Sequence, residues 1–246
     1  MIKLNTFPLD LEYDAEGKKL YFDGAELKPS VRTLSEMEGV CLEKAFAQEA
    51  DKNRVQYYMF RSIRLKSEEE LFNQTNLSFD ITVIPPLELG KEYNKTFGHY
   101  HPKSEAGTRY PEIYEVLEGQ AHYLIQRLDE KTGGVDDIML IEARKGDKVV
   151  MPTGYGHVSI NPTHETLVSA NIVGKFQSDY APYKEKEGAA YFELIDDSLT
   201  PNKHYENLPM IKTIDAMDLP INQQFDGDNI YAQFIENPEK FDFLRK

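Results

Sequence analysis

GHYHPKSEAGTRYPEIYEVLEG, residues 98–119, and GDKVVMPTGYGHVSIN, residues 146–161, decide how this chain is read. In the first stretch His99 and His101 stand two apart, ten residues precede Glu112, and six more precede Gly119. Side chains at i and i+2 of an extended strand point to one face, so both imidazoles look the same way. A carboxylate from the next strand, Glu112, can meet them there, and Tyr114 shares its face. In the second stretch Pro152 and the surrounding glycines form a tight turn that delivers His157 from a later strand. Either stretch alone is more often a chance surface pair or an ordinary turn. Together, in this order and with glycines and proline in register, they describe a mixed nitrogen and oxygen site of three imidazoles and one carboxylate. Such a donor set suits Fe, Mn, Ni, Co or Zn, and four protein ligands leave two octahedral positions open for a bidentate substrate.

Around these stretches the chain reads as strand, turn, strand. IYEVLEG, AHYLIQRL, DIMLIEA, DKVVMP and TLVSANIV are separated by Gly, Pro, Asp and Thr. Many short strands at even spacing predict a sandwich or closed barrel. Upstream, VQYYMFRSIRL and LSFDITVIP read as further strands, and residues 1–29 as short strands with a turn at Asp23-Gly24. The one clear helical region is residues 35–53, with Ser35 or Asp51 at its edges and Gly39 able to split it. The charged run Lys66-Ser67-Glu68-Glu69-Glu70 reads as a solvated face. After about Met210 a loop-rich wrap with one short helix is expected, anchored by Phe225, Ile230, Phe234, Phe241 and Leu244. No repeat or linker divides the chain, so a single domain over 1–246 is expected, with a core of about 50–190, an N-terminal extension 1–49 and a tail 191–246.

Composition narrows the function. Lysine and arginine number 28 against 42 aspartates and glutamates, a formal charge of −14. That balance argues against nucleic acid and against an anionic membrane surface. An anionic substrate would then need a local site that overcomes the global field. One cysteine, Cys41, excludes an intramolecular disulfide framework, and no long apolar run marks a leader or a membrane helix. A reduced cytoplasm is the expected compartment. His122, His164 and His204 fit neither motif and read as structural histidines.

The two motifs resemble those of the cupin superfamily, which implies an all-β jelly-roll barrel, here with an N-terminal helix and strand extension and a C-terminal wrap. A narrower resemblance is to the cupin-type glucose-6-phosphate isomerases. SVRTLSEMEG (30–39), FDITVIPP, the TFGHYH…PEIYEVLEGQAHYLIQ block, PTGYGHVSIN and DYAPY (179–183) carry it. The loop PKSEAGTRYP is longer than in short members, Val173 stands where a tyrosine can occur, and the tail after Met210 has no counterpart there. The resemblance implies a metal-dependent aldose–ketose isomerase that interconverts glucose 6-phosphate and fructose 6-phosphate in glycolysis and gluconeogenesis. It implies one divalent ion per subunit, Fe2+ first among Mn2+, Ni2+, Co2+ and Zn2+, on His99, His101, Glu112 and His157. Glu112 and Tyr114 would be the catalytic groups. Tyr57, Thr82, Thr96, Gly98 and Tyr180 would meet the phosphorylated sugar, and the molecule would be a homodimer. Lys95, Lys103 and Arg109 are expected to flank the mouth, since no arginine or lysine cluster or phosphate loop stands out. An Fe(II) cupin dioxygenase would share the ligands but not SVRTLSEMEG or DYAPY. A non-catalytic sugar-binding cupin would keep the barrel without turnover.

Overall fold

The computed structural model describes residues 1–105, 107–129 and 131–245. Its strands are β1 (Ile2–Lys3), β2 (Leu11–Asp14), β3 (Lys19–Phe22), β4 (Ala25–Glu26), β5 (Ser30–Thr33), β6 (Val55–Phe60), β7 (Leu77–Ile84), β8 (Glu88–Leu89) and β9 (Glu92–Lys95), then β10 (Glu112–Glu118), β11 (Gln120–Leu128), β12 (Val135–Arg144), β13 (Lys148–Met151), β14 (Tyr155–Asn161), β15 (Leu167–Gly174), β16 (Tyr191–Glu193), β17 (Leu199–Pro201) and β18 (Lys212–Asp215). Two six-stranded sheets make the body: β13-β10-β15-β7-β6-β5 and β18-β12-β11-β14-β9-β8. They pack face to face as the halves of a jelly-roll barrel, the all-β class expected. Tyr114, Val116, Val149 and Met151 of the first sheet share one core with Tyr123, Ile125, Val158 and Ile160 of the second.

Strand alternation sets what each face does. On β10, Val116 turns toward that core, while Ile113 and Leu117 turn to the other side. That outer side is not wet. The hairpins β1–β4 contribute Leu11, Tyr13 and Leu20, and the C-terminal segment contributes Phe225, Tyr231, Phe234 and Phe241, to a second core with Phe79, Ile81 and Ile172. The first sheet is therefore covered on both faces, and every residue of β7 is buried. Asp23 and Gly24 both take positive φ and close the β3–β4 hairpin, as the turn signal predicts.

Several boundaries differ from the sequence reading. The first helix, Leu34–Met37, is capped by Thr33 rather than begun at Ser35, because Glu36 Oε2 accepts from both the Thr33 amide and hydroxyl. The strand read through VQYYMFRSIRL stops at Phe60, since Ser62 turns to positive φ and gives its amide to Asp80 at 2.8 Å. Part of the charged run 66–70 starts a helix, Glu69–Thr75, that buries Phe72. The tail is more ordered than a wrap with one short helix. β18 adds to β12 in parallel, and Pro220–Gln223, Ile230–Glu236 and Pro238–Arg245 are helical. No helix among the described residues is long and apolar enough to cross a membrane.

Candidate metal centre

The centre lies between the two sheets. The short stretch His99–His101 runs beside β14, where the His99 amide donates to the His157 carbonyl at 3.3 Å and the His157 amide to the His99 carbonyl at 3.1 Å. Backbone pairing alone therefore sets these two imidazoles side by side, 4.5 Å apart. Glu112 comes from β10, in the facing sheet rather than from a neighbouring strand. One ligand atom from each of His99, His101, Glu112 and His157 lies within 4.8 Å of all the others. Gly98 makes the approach possible. Its φ is +85°, and a Cβ there would meet the Tyr183 ring at 2.6 Å. Gly156 serves likewise, since a Cβ would strike the Tyr100 ring at 2.7 Å. Tyr100 in turn pairs its backbone with Asp179, which brings the Asp179–Tyr183 segment and Tyr180 over the site.

Polar partners fix each group. His101 Nδ1 donates to the Tyr110 carbonyl at 2.8 Å, which aims Nε2 inward. Glu112 Oε1 accepts from Asn171 Nδ2 at 2.6 Å, and Oε2 faces the Nε2 atoms of His101 and His157 at 3.2 Å each. The Tyr114 hydroxyl lies 3.2 Å from His157 Nε2. Burial alone would raise the Glu112 carboxyl, but the His101 and His157 contacts outweigh it and hold the group well below the usual carboxylate range. Burial, with His157 and His101 beside it, pushes His99 well below its ordinary value, and burial lowers His157. Burial, with Glu112 close by, pushes the Tyr114 phenol well above its ordinary value, so it keeps its proton. An ionised carboxylate beside imidazoles whose charged form burial disfavours, His99 and His157, suits a divalent metal. Glu112 Oε2 and His157 Nδ1 are buried without a hydrogen-bond partner, and the Oε2 orphan fits a metal-ligating oxygen.

The cluster opens onto a cavity of about 650 Å³. Tyr57, Thr82, Thr96, Gly98, Tyr114 and Tyr180, all singled out from the sequence, line it. The cations singled out do not. Lys95 is buried against Glu92 and over the Phe192 ring, and Arg109 braces the His101 carbonyl at 2.7 Å and packs on Tyr100. Lys103 bridges to Arg109 in the loop and is likewise off the lining. Arg61 and Lys175 line the cavity instead, with Asp80 and Asn171. Sequence reasoning missed them, although the alternation of VQYYMFR past Tyr57 places Arg61 on the same face. His122 pairs with Glu193 at 2.6 Å, His204 with Glu187 at 2.8 Å, and His164 is exposed, all outside the cluster.

The family model "Glucose-6-phosphate isomerase (GPI)" matches residues 31–210. The glucose-6-phosphate isomerase of Pyrococcus furiosus is 29% identical over 161 residues, which is 65% of this chain and 77% of that protein. That of Thermococcus gammatolerans is 30% identical over the same span and shares. That of Thermococcus kodakarensis is 28% identical over 181 residues, 73% of this chain and 85% of the relative. Among solved structures, an oxalate oxidase aligns at TM-score 0.35 with 14% identity, covering 59% of this chain and 54% of that one. Oxalate decarboxylase from Bacillus subtilis aligns at 0.34 with 17% identity, covering 48% and 25%. Likeness to structures at this level is too slight to bear on chemistry. The family match spans most of the chain and includes all four clustered ligands, and on that ground the chain belongs to the glucose-6-phosphate isomerase family.

Proposed function

We propose that this protein interconverts glucose 6-phosphate and fructose 6-phosphate with one divalent ion, Fe2+ first, held by His99, His101, Glu112 and His157. Mn2+, Ni2+, Co2+ and Zn2+ suit the same donors. The observation that carries the reading is the convergence of those four ligand atoms at the wall of a cavity lined by neutral hydroxyl donors. When bound, the ion supplies a Lewis acid for O1 and O2 of the open-chain sugar and lowers the cost of negative charge there.

The chain's own groups do the rest. Tyr57 Oη accepts from Arg32 Nε at 3.3 Å and from the Phe97 amide at 3.4 Å, so its proton is left for the cavity. Thr96 Oγ1 accepts from the Ser159 amide at 3.0 Å and likewise keeps its hydrogen for a ligand. With Thr82, the Gly98 amide and Tyr180, these donors meet the phosphate. Arg32, over the Phe97 and Tyr180 rings at 5.7 Å each, stands behind that end with a positive charge. Tyr114, protonated and beside His157, is placed to pass or hold a hydroxyl proton at the reacting carbons. Glu112 is the carboxylate at that spot, as ligand or as base. A homodimer is the assembly we propose.

Metal-loaded protein assayed with fructose 6-phosphate, coupled to glucose 6-phosphate dehydrogenase, tests the reading. Turnover is expected in the wild type. His157→Ala should lose both metal and turnover, and His164→Ala should keep both. A metal-loaded wild type with no interconversion above background refutes the isomerase reading.

A further inference from the structure

The cavity holds an arginine that the scheme above leaves idle. Tyr57 and Met59 of β6 and Arg61 just beyond it alternate onto one face, and all three line the cavity. Arg61 Nη1 donates to Asp80 Oδ2 at 2.7 Å, and Nη2 lies 3.3 Å from Met59 Sδ. Asp80 is a fixed clamp. It is buried, and its Oδ1 accepts from the Ser62 amide at 2.8 Å and from Ser78 Oγ at 2.6 Å. Held by the Ser62 amide and the Ser78 hydroxyl, this carboxylate is a fixed anchor for one N–H of the guanidinium. The Arg61 side chain remains 50% exposed, against 5% for Asp80. With five N–H donors and two contacts, the group has donors to spare for a ligand in the cavity it lines.

Strand geometry decides which end of a ligand it meets. Tyr57 and Arg61 lie four residues apart in extended chain, a separation of about 13 Å. Tyr57 belongs to the group that takes the phosphate, so Arg61 stands at the far end. Asp80 sits opposite Asn171 in the β7–β15 register, and Asn171 holds Glu112. Against burial, Asp80 first and then Tyr114 and Glu112 hold the Arg61 guanidinium in its charged form. Arg61 thus lines the same cavity as Glu112 and Tyr114 and is linked to Glu112 through Asp80 and Asn171, on the side where C1 and C2 of the sugar would react.

We propose that Arg61 is a catalytic residue of the isomerisation, donating hydrogen bonds to O1 or O2 as negative charge develops there. The proposal rests on the isomerase reading. The guanidinium stays protonated throughout and forms no covalent bond. It offers fixed donors that matter most when the sugar oxygen is most anionic, which is the electrostatic form of catalysis.

The test uses full-length metal-loaded protein, wild type, Arg61→Gln and Arg61→Lys. Steady-state rates with fructose 6-phosphate are measured beside metal content. Calorimetry follows two ligands: arabinonate 5-phosphate, whose carboxylate falls where O1 and O2 would be, and arabinitol 5-phosphate, which keeps the phosphate but has no charge at that end. Arg61→Gln should lower kcat about 10²-fold, the usual scale for a lost oxyanion donor, with KM changed little and metal content unchanged. Binding of the acid should weaken at least tenfold while the alcohol is unaffected, and Arg61→Lys should recover part of both losses. Equal weakening of acid and alcohol would move Arg61 to the phosphate and overturn the proposal. So would unchanged rates, which would leave Arg61 as a partner for Asp80 alone. A wild type that binds both ligands but does not turn over fails the isomerase reading, and the acid-against-alcohol difference still decides where the Arg61 charge acts.

Discussion

Asn171→Leu should weaken metal binding without unfolding the barrel. Asn171 is buried on β15, and its Nδ2 gives Glu112 Oε1 a 2.6 Å hydrogen bond. Leucine nearly conserves the volume, so packing changes little and the loss is the donor. A hydrogen bond to a buried charged group contributes about 1.5–3 kcal/mol. At ~1.4 kcal/mol per decade, that is about a 10- to 100-fold loss of affinity if the carboxylate can no longer be held toward the imidazoles. Outer partners of metal ligands generally matter on the same scale of about 10–100-fold. The assay is competition against a chromophoric chelator, with thermal melting of both proteins as the check on folding. Metal affinity within about threefold of wild type, in a folded variant, would refute the view that Asn171 orients Glu112.

Tyr114→Phe should lower turnover by up to about 10²-fold while metal content stays constant by elemental analysis, because only the hydroxyl beside His157 is lost; an unchanged rate would make Tyr114 a packing residue. Phe234→Ala removes a fully buried ring that packs on Phe72 at 4.9 Å and Phe241 at 5.4 Å, and should cost about 3–5 kcal/mol. For a chain of this size the melting temperature should fall by about 6–20 °C in calorimetry, and a fall under about 3 °C would show the C-terminal cover to be loosely held. Glu115, on the opposite face of β10 from Glu112, is pushed up to about 7 by burial, against the pull of Lys148 and the Ile230 amide. Its native form holds the proton more tightly than the unfolded chain does, so its contribution to stability is full below about 4.5 and declines as pH rises through 7. Urea midpoints compared between pH 5 and pH 8 should show that decline in wild type and less of it in Glu115→Gln; equal slopes would place the titration elsewhere.

The centre was legible because its determinants are local. The i, i+2 parity of His99 and His101, and the glycines that admit Tyr183 and Tyr100, are written in short stretches of sequence. What sequence could not show depends on register between distant strands. The Arg61–Asp80 pair needs β6 laid against β7, and the Asn171–Glu112 bond needs β10 laid against β15. Lys95 was misplaced for the same reason. Its neighbours in sequence suggest a mouth, but on β9 it points to Glu92 and Phe192. The helix Glu69–Thr75 was hidden in a charged run because its first turn is acidic and Phe72 and Thr75 are its buried residues. In the tail, apolar anchors were visible, but their helical order comes from the surface they cover, which supplies the Glu115 carboxylate at the first amide of Ile230–Glu236.

That outer cover has a bearing on how the molecule assembles. Asn229 Nδ2 donates to the Phe7 carbonyl across 222 residues of chain, and the same layer joins Leu11 and Leu20 to Phe234 and Phe241. During synthesis the last strand of the sheet they cover is complete at Gly174, before the helices Ile230–Glu236 and Pro238–Arg245 are made. Contacts so remote in sequence raise the contact order and are expected to form late. Until they do, Phe79, Ile81 and Ile172 present a greasy, aggregation-prone surface to the cell. Yield at elevated temperature should thus be governed by how quickly the chain's two distant segments find each other, long before any sugar or ion is involved.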